Sequence, residues 1–535
     1  MTGAGRPSAA HRGTPARGER GFAIAVTLAY ALVAAFGMVH HEPWRDELQA
    51  WMVVTDADSL AGVYGNMRYE GNPMLWQAFL FGLSRITDDP RIMQGFHLLI
   101  AIAFVWVFSR YAPFTRLQRL LFPFGYFALF EYGLISRNYA FGVLLLGIAC
   151  ALYGDRTRRY PWLGLVLLLL ANTSLYGMVI VGGLTATLAV DFLSRRSEAA
   201  FAGRGPALAL CLILAAVGVG LSAYQIWPEP DNTFFVPYPE TPFDPTRLAF
   251  VASKIFAAYV PIPEIASPHW WNTNAFVGEG SPLNGVLALV ALGAGTLVFL
   301  GKPRVLFLYL ATNGILLFLF YLTLLSSARY YGHFFLLLLA CAWIARGEPS
   351  HRYRRPGLER LAETGRLAAG RFLTFVLAAN LLGGATAYGK DLREPFTVTG
   401  EVAAWVRASP WADLPAVAAT DFQTSPLSAL LRRKLYYPEQ RELGSFLVWD
   451  RDRKDLIDLD DVAAAVRAVA RPGERALLIL SFPPEAIRDG RRQRILRGNL
   501  APDIRIRHLR SFPPGVVADE TYHLYIAERD PAPAG

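Results

Sequence analysis

The stretch His40-His41-Glu42-Pro43-Trp44-Arg45-Asp46-Glu47-Leu48-Gln49-Ala50-Trp51 sets two adjacent carboxylates, Asp46 and Glu47, beside Arg45 and between two tryptophans. A carboxylate held at lipid-headgroup depth can act as a general base on a hydroxyl or amine, the group that loses a proton during transfer. The bland reading is a pair of solvated acids at a helix start, where negative charge favours the dipole. Three features weigh against it. Arg45 adjoins the acids, Trp44 and Trp51 suit the bilayer interface, and a second polar cluster, Tyr69-Glu70-Gly71-Asn72-Pro73, follows.

Cationic candidates stand further along the chain. Arg137 lies between apolar runs in Ile-Ser-Arg-Asn-Tyr-Ala, with Tyr139 close by, and Arg329 heads a cluster with Tyr330, Tyr331 and His333. Each arginine has a bland reading as a snorkelling interfacial residue. Arginine on the outer side runs against the usual charge bias, however, and a guanidinium offers a phosphate fixed charge and paired donors. The turn Asn172–Tyr176 adds Tyr176. Glu131 is placed to pair with Arg137. His269, Trp270 and Trp271 read first as packing residues and second as a cover for a site. Asp191 and Arg371 are explained by topology alone.

The elements that position these groups are mostly membrane helices. The chain has 535 residues, 53% of them hydrophobic, and a net charge of +9. A mean hydropathy of +0.29 is too high for a soluble protein and too low for a bare bundle, so a membrane part plus a soluble domain fits best. The basic residues fall in short clusters between apolar runs, which reads as topology and not as a nucleic-acid face. Cys150, Cys211 and Cys341 all lie inside apolar stretches and frame neither a disulfide nor a zinc site.

The amino terminus carries Arg6, Arg12, Arg17 and Arg20 before an apolar run, 22–39, that lacks a small-residue cleavage site; it reads as an uncleaved anchor. Further runs at 92–109, 120–136, 139–154, 161–175, 178–193, 206–224, 283–300, 305–325, 334–345 and 368–388 bring the expectation to about eleven spans. The stretch Pro73–Ile86 decides the sidedness of everything after it. Lying on the surface, it puts Arg116/Arg119, Arg156/Arg158/Arg159, Arg195/Arg196/Arg204, Lys302/Arg304 and the cluster Arg346–Arg366 inside, as the positive-inside rule requires. Two large outer loops result, 41–91 and 225–282.

The expected organisation is therefore a basic cytoplasmic tail (1–21), a polytopic α-helical membrane domain (22–388) and an extracytoplasmic α/β domain (389–535). In that last domain the patterning predicts helices over Glu401–Arg407, Ser425–Arg433, Asp461–Ala470 and Pro484–Arg497. Strands are predicted over Ala416–Thr420, Ala476–Ser481, Ile504–Leu509 and Thr521–Ala527. It has no phosphate-binding glycine loop and no nucleophile elbow.

As an ordered set, the inside anchor, Asp46-Glu47-Leu48-Gln49-Ala50-Trp51, Gly71-Asn72-Pro73-Met74-Leu75-Trp76 and Arg137-Asn138-Tyr139-Ala140 resemble the GT-C superfamily of membrane glycosyltransferases. That superfamily includes the lipid A aminoarabinose transferases and the protein O-mannosyltransferases. The resemblance covers residues 20–345. It implies a sugar donor carried on a polyprenyl phosphate and inverting transfer to an envelope lipid, glycan or protein on the outer face of a bacterial inner membrane.

By position, Asp46 would be the base or acceptor-orienting carboxylate, with Glu47 assisting. Arg137 and Arg329 would bind donor phosphate, and Arg45, Glu70, Asn72, Tyr139, Tyr176, Tyr330 and His333 would line the substrate site. The chain departs from the family at Asn72-Pro73, where His-Pro-Pro or Lys-Pro is frequent, and at Asn138, where an acid is frequent. A divalent metal is thereby left open. Membrane lipids are expected partners and nucleic acid is not. A transporter or flippase of envelope lipids or glycans is the alternative, and a non-catalytic envelope-assembly protein a third reading.

Overall fold

The computed structural model describes residues 17–233, 243–323, 327–482 and 498–531. The chain is mostly helical, and seven of its described helices are long and apolar enough to cross a bilayer: Arg17–His40, Arg91–Tyr111, Leu175–Arg195, Gly205–Ile226, Pro303–Thr323, Ala328–Gly347 and Pro356–Asp391. Shorter helices fill other predicted runs: Tyr139–Tyr153, Arg156–Ala171 and Asn284–Phe299. Many large apolar side chains of the bundle face outward; Leu28, Leu32 and Phe36 on the first helix are 60%, 75% and 56% exposed. That pattern suits a helix surrounded by lipid.

The run 120–136 is not one helix. It breaks into Arg116–Leu121 and a wide π-turn, Tyr126–Glu131. Pro123 explains the break, because it removes a backbone donor and its ring clashes with the preceding turn. Gly125 and Gly133 then let the irregular segment pack closely: a Cβ on Gly133 would lie 2.3 Å from the Leu129 carbonyl.

The surface stretch predicted around Pro73–Ile86 is the helix Leu75–Ser84, ten residues and too short to span. The Pro-, Trp- and Phe-rich loop 225–282 holds an unexpected helix, Pro245–Tyr259, whose start is capped by the Asp244 side chain.

Beyond Asp391 lies one sheet with the strand order β3-β2-β1-β4-β7-β6-β5. Its strands are β1 (Ala416–Ala419), β2 (Leu435–Tyr437), β3 (Glu442–Gly444), β4 (Arg475–Leu480), β5 (Gly498–Ala501), β6 (Ile504–Phe512) and β7 (Tyr522–Arg529). β1 runs parallel to β2 and β4, and the other pairings are antiparallel. Helices Thr399–Ala408 and Leu459–Val469 pack with it. The predicted helix over Pro484–Arg497 lies outside the described residues.

Candidate active site around Asp46

The helix Arg45–Thr55 starts directly after Trp44, and Glu47 builds that start. Its Oε2 accepts from the Trp44 backbone N–H at 3.0 Å, while Oε1 accepts from the Ser136 N–H at 2.6 Å. One carboxylate thus caps the helix and also ties it to the turn that carries Arg137. Glu47 is fully buried. The expectation that it assists Asp46 directly is corrected: successive helical positions point about 100° apart, and both Glu47 oxygens are taken by backbone.

Asp46 points the other way, into two guanidinium groups. Arg137 Nη1 lies 3.1 Å and Arg329 Nη2 2.9 Å from the same Asp46 Oδ2. Arg137 also donates to the Asp46 carbonyl at 2.8 Å. The start of helix Arg45–Thr55, the Ser136–Asn138 turn and the start of helix Ala328–Gly347 therefore meet at one carboxylate, although they lie far apart in sequence. Burial pushes the Asp46 carboxyl up, but Arg329, Arg137 and Arg45 outweigh it and hold it below the ordinary aspartate range. Asp46 is therefore ionised at neutral pH.

Aromatic rings frame the arginines. Arg329 sits over Tyr330 at 4.9 Å, Trp44 at 5.1 Å and Trp271 at 5.9 Å, and Trp44 meets Trp271 edge to face at 4.7 Å. Two of its donor atoms, Nε and Nη1, are buried without an acceptor. Buried donors normally find partners, so these leave capacity for an anion. Beside them, Trp44, Arg45, Trp271, Asn272, Arg329 and Asp519 help line an open cavity of about 350 Å³.

Glu131 does not pair with Arg137. Its Oε2 accepts from Trp271 Nε1 at 3.1 Å and from the Tyr126 hydroxyl at 3.2 Å, so it orients the Trp271 ring. Asn272 accepts from the Ser327 hydroxyl and the Ala328 N–H at 3.1 and 2.8 Å, pinning the same loop to the helix that carries Arg329.

The remaining candidates divide into two groups. Glu70 accepts from Gln49 Nε2 at 2.6 Å, and Asn138 Nδ2 reaches Asn72 Oδ1 at 3.4 Å, so the second polar cluster leans on the first helix turn and on the arginine turn. Burial raises the Glu70 carboxyl, opposed by Gln49 and Arg137. Tyr139, Tyr176 and His333 are buried. They stack with half-buried Tyr330 as a wall, with Tyr176–His333 at 4.9 Å and Tyr176–Tyr330 at 5.3 Å. Arg45 turns away from Asp46: its Nη1 lies 2.7 Å from Asp519 of the sheet domain, so it links that domain to the site.

Sequence reasoning gave no role to His41. Its Nδ1 lies 3.1 Å from both oxygens of Asp391, at the end of the long last helix, and its Nε2 lies 3.5 Å from Glu47. Burial alone would lower its pKa, but Asp391 and Glu47 raise it to about 10, so the ring is a buried cation. His41 precedes Asp46 by five residues in the same segment. Asp391, its partner, is 350 positions away and carries no local signal.

Among the described residues no group of three or more His, Cys, Asp or Glu is arranged to hold a metal. No protein-family model, curated protein or solved structure matches this chain.

Proposed function

We propose that the chain is a membrane glycosyltransferase of the GT-C type, moving a sugar from a polyprenyl-phosphate donor to an envelope acceptor. The reading places about eleven crossings in a bacterial inner membrane, the amino terminus inside and the sheet domain outside. The observation that carries it is the convergence of Arg137 and Arg329 on Asp46.

Transfer with inversion needs a base on one side of the anomeric carbon and charge stabilisation of the leaving phosphate on the other. The donor phosphate competes with Asp46 for the two guanidinium groups, which offer it forked, fixed donors. Asp46, partly released, becomes more basic and takes the proton of the acceptor hydroxyl or amine. The acceptor atom then forms its bond to the anomeric carbon while the bond from that carbon to the phosphate oxygen breaks. The electron pair stays on the phosphate, held by Arg137 and Arg329. Glu47 keeps helix and arginine turn in register and touches no substrate.

The buried Glu131 in a broken membrane segment is a feature that also suits a transporter, since intramembrane acids and interrupted helices mark transport pathways. One experiment separates the readings. Mass spectrometry of envelope lipids and glycans from a deletion strain should show an acceptor lacking one sugar, restored by the wild-type gene and not by Asp46→Asn. A complete set of glycans, merely displaced between leaflets, would instead support transport.

A further inference from the structure

The cavity beside Arg329 has walls from both halves of the chain. The membrane half contributes Trp44, Trp271 and Asn272, and the sheet domain contributes residues 516–519 from the loop between β6 and β7. That loop is held in place by its own contacts. The Val516 and Val517 N–H groups donate to the Pro395 and Phe396 carbonyls, each at 3.0 Å. Glu520 is buried and accepts from the Thr397 and Thr399 hydroxyls, and Asp519 is tied to Arg45. A wall fixed at this many points is preorganised, which lowers the ordering cost of binding.

The polar groups left over define the occupant. Trp44 is 2% exposed, and its Nε1 donor has no acceptor. Asn272 spends its Oδ1 on Ser327 and Ala328, which leaves its amide nitrogen to donate. His269, also in the lining, places Nδ1 3.2 Å from the Val516 carbonyl. A carbonyl only accepts, so Nδ1 carries a proton and, in the neutral ring, Nε2 accepts. The half-exposed Asp519 carboxylate is a second acceptor. Donors and acceptors thus stand together around the half-buried Trp271 ring.

We propose that this cavity seats a saccharide unit, the accepting end of an envelope glycan, with the sheet domain as one wall of the seat; its role as acceptor rests on the transferase reading. Each sugar hydroxyl both gives and takes a hydrogen bond, which suits the mixed set. The C–H face of a sugar ring suits the electron-rich face of an indole. A bare phosphate or carboxylate offers acceptors only and would meet the Asp519 carboxylate. An extended peptide needs a free strand edge, and the Val516 and Val517 N–H groups are already spent. At about 350 Å³ the cavity is small for a ligand pocket, room for a chain end. Arg329, which lines it, lies 2.9 Å from Asp46, so a hydroxyl seated here is close to the proposed base.

The exposed Ala518 in the lining reports occupancy. The three native cysteines are buried, so maleimide labelling of Ala518→Cys in the purified full chain reads this wall alone. Oligosaccharides released by mild acid from the envelope of a deletion strain should protect it saturably, slowing labelling about tenfold at about ten times their dissociation constant. A tryptic digest of the same envelopes, inorganic phosphate and an extract of polyprenyl-phosphate sugars should not. Absence of protection by the oligosaccharides overturns the proposal, as does equal protection by any of the other three. Equal protection by wild-type oligosaccharides that mass spectrometry shows to carry the added sugar overturns the acceptor role. Occupancy is read without turnover, so the two readings fail separately. Protection by a chain that transfers nothing removes the transferase reading alone, and transfer with Ala518→Cys left unprotected removes this inference alone.

Discussion

The proposed chemistry at Asp46 rests on which way two neighbouring carboxylates point. Asp46 and Glu47 are indistinguishable as a sequence pair, yet one faces two arginines and the other is locked to backbone. Residue type and position picked out Asp46, Arg137 and Arg329. Direction was not legible, because it depends on where the helix starts and on the Ser136 turn it meets. Arg329 also sets the protonation of Asp46. Replacing it with Gln removes a group that holds the carboxyl low, so the acid limb of the activity profile should move to higher pH. The conservative Arg329→Lys keeps the charge but loses the fork, and donor affinity should fall about tenfold, roughly 1.4 kcal/mol. A pH–rate profile and donor titration measure both; an unmoved acid limb in Arg329→Gln would separate the arginine from the reaction.

The elements around the site are joined by a buried relay, Asp391–His41–Glu47–Ser136, that links the last long helix to helix Arg45–Thr55. Removing the central cation in His41→Ala strands two buried carboxylates, a loss on the order of 3–5 kcal/mol. The sign with pH follows from the raised pKa. The folded ring holds its proton up to about 10 against an ordinary 6.5, so its stabilisation is complete below the ordinary value and disappears as pH rises through about 10. Thermal denaturation from pH 6 to 10.5 should show wild type losing stability across that window and His41→Gln changing less; parallel curves would deny the relay its charge. Apolar runs revealed most of the helices because hydropathy is a local property. The run 120–136 misled because Pro123 lies within it. The strands β2, β3 and β5, three, three and four residues long, carry too little alternation to be read at all.

At the scale of the whole molecule, the sheet domain is docked on helix Arg45–Thr55 and does not hang from a tether. Arg45 reaches Asp519, Gln49 exchanges hydrogen bonds with Leu447 at 2.9 and 3.0 Å, and Lys434 lies 2.9 Å from Asp56. Composition marked the domain's start near Tyr388, but nothing local announced that it would close over Arg45, since such contacts join positions hundreds of residues apart. Arginine placement alone gives the expected sidedness. The three native cysteines are buried, so single introduced cysteines report cleanly. A membrane-impermeant maleimide on intact spheroplasts should label Leu456→Cys, which is 86% exposed in the sheet domain, and spare Glu363→Cys until the membrane is opened. The reverse pattern would invert the topology and remove the site from the outer face. The most direct measurement is single-turnover transfer by purified protein supplied with a pooled extract of polyprenyl-phosphate sugars, following release of sugar-free polyprenyl phosphate. Wild type should release it, and Asp46→Asn, still folded and still binding donor, should release none above background; release by Asp46→Asn at the wild-type rate would contradict a reaction centred on that carboxylate.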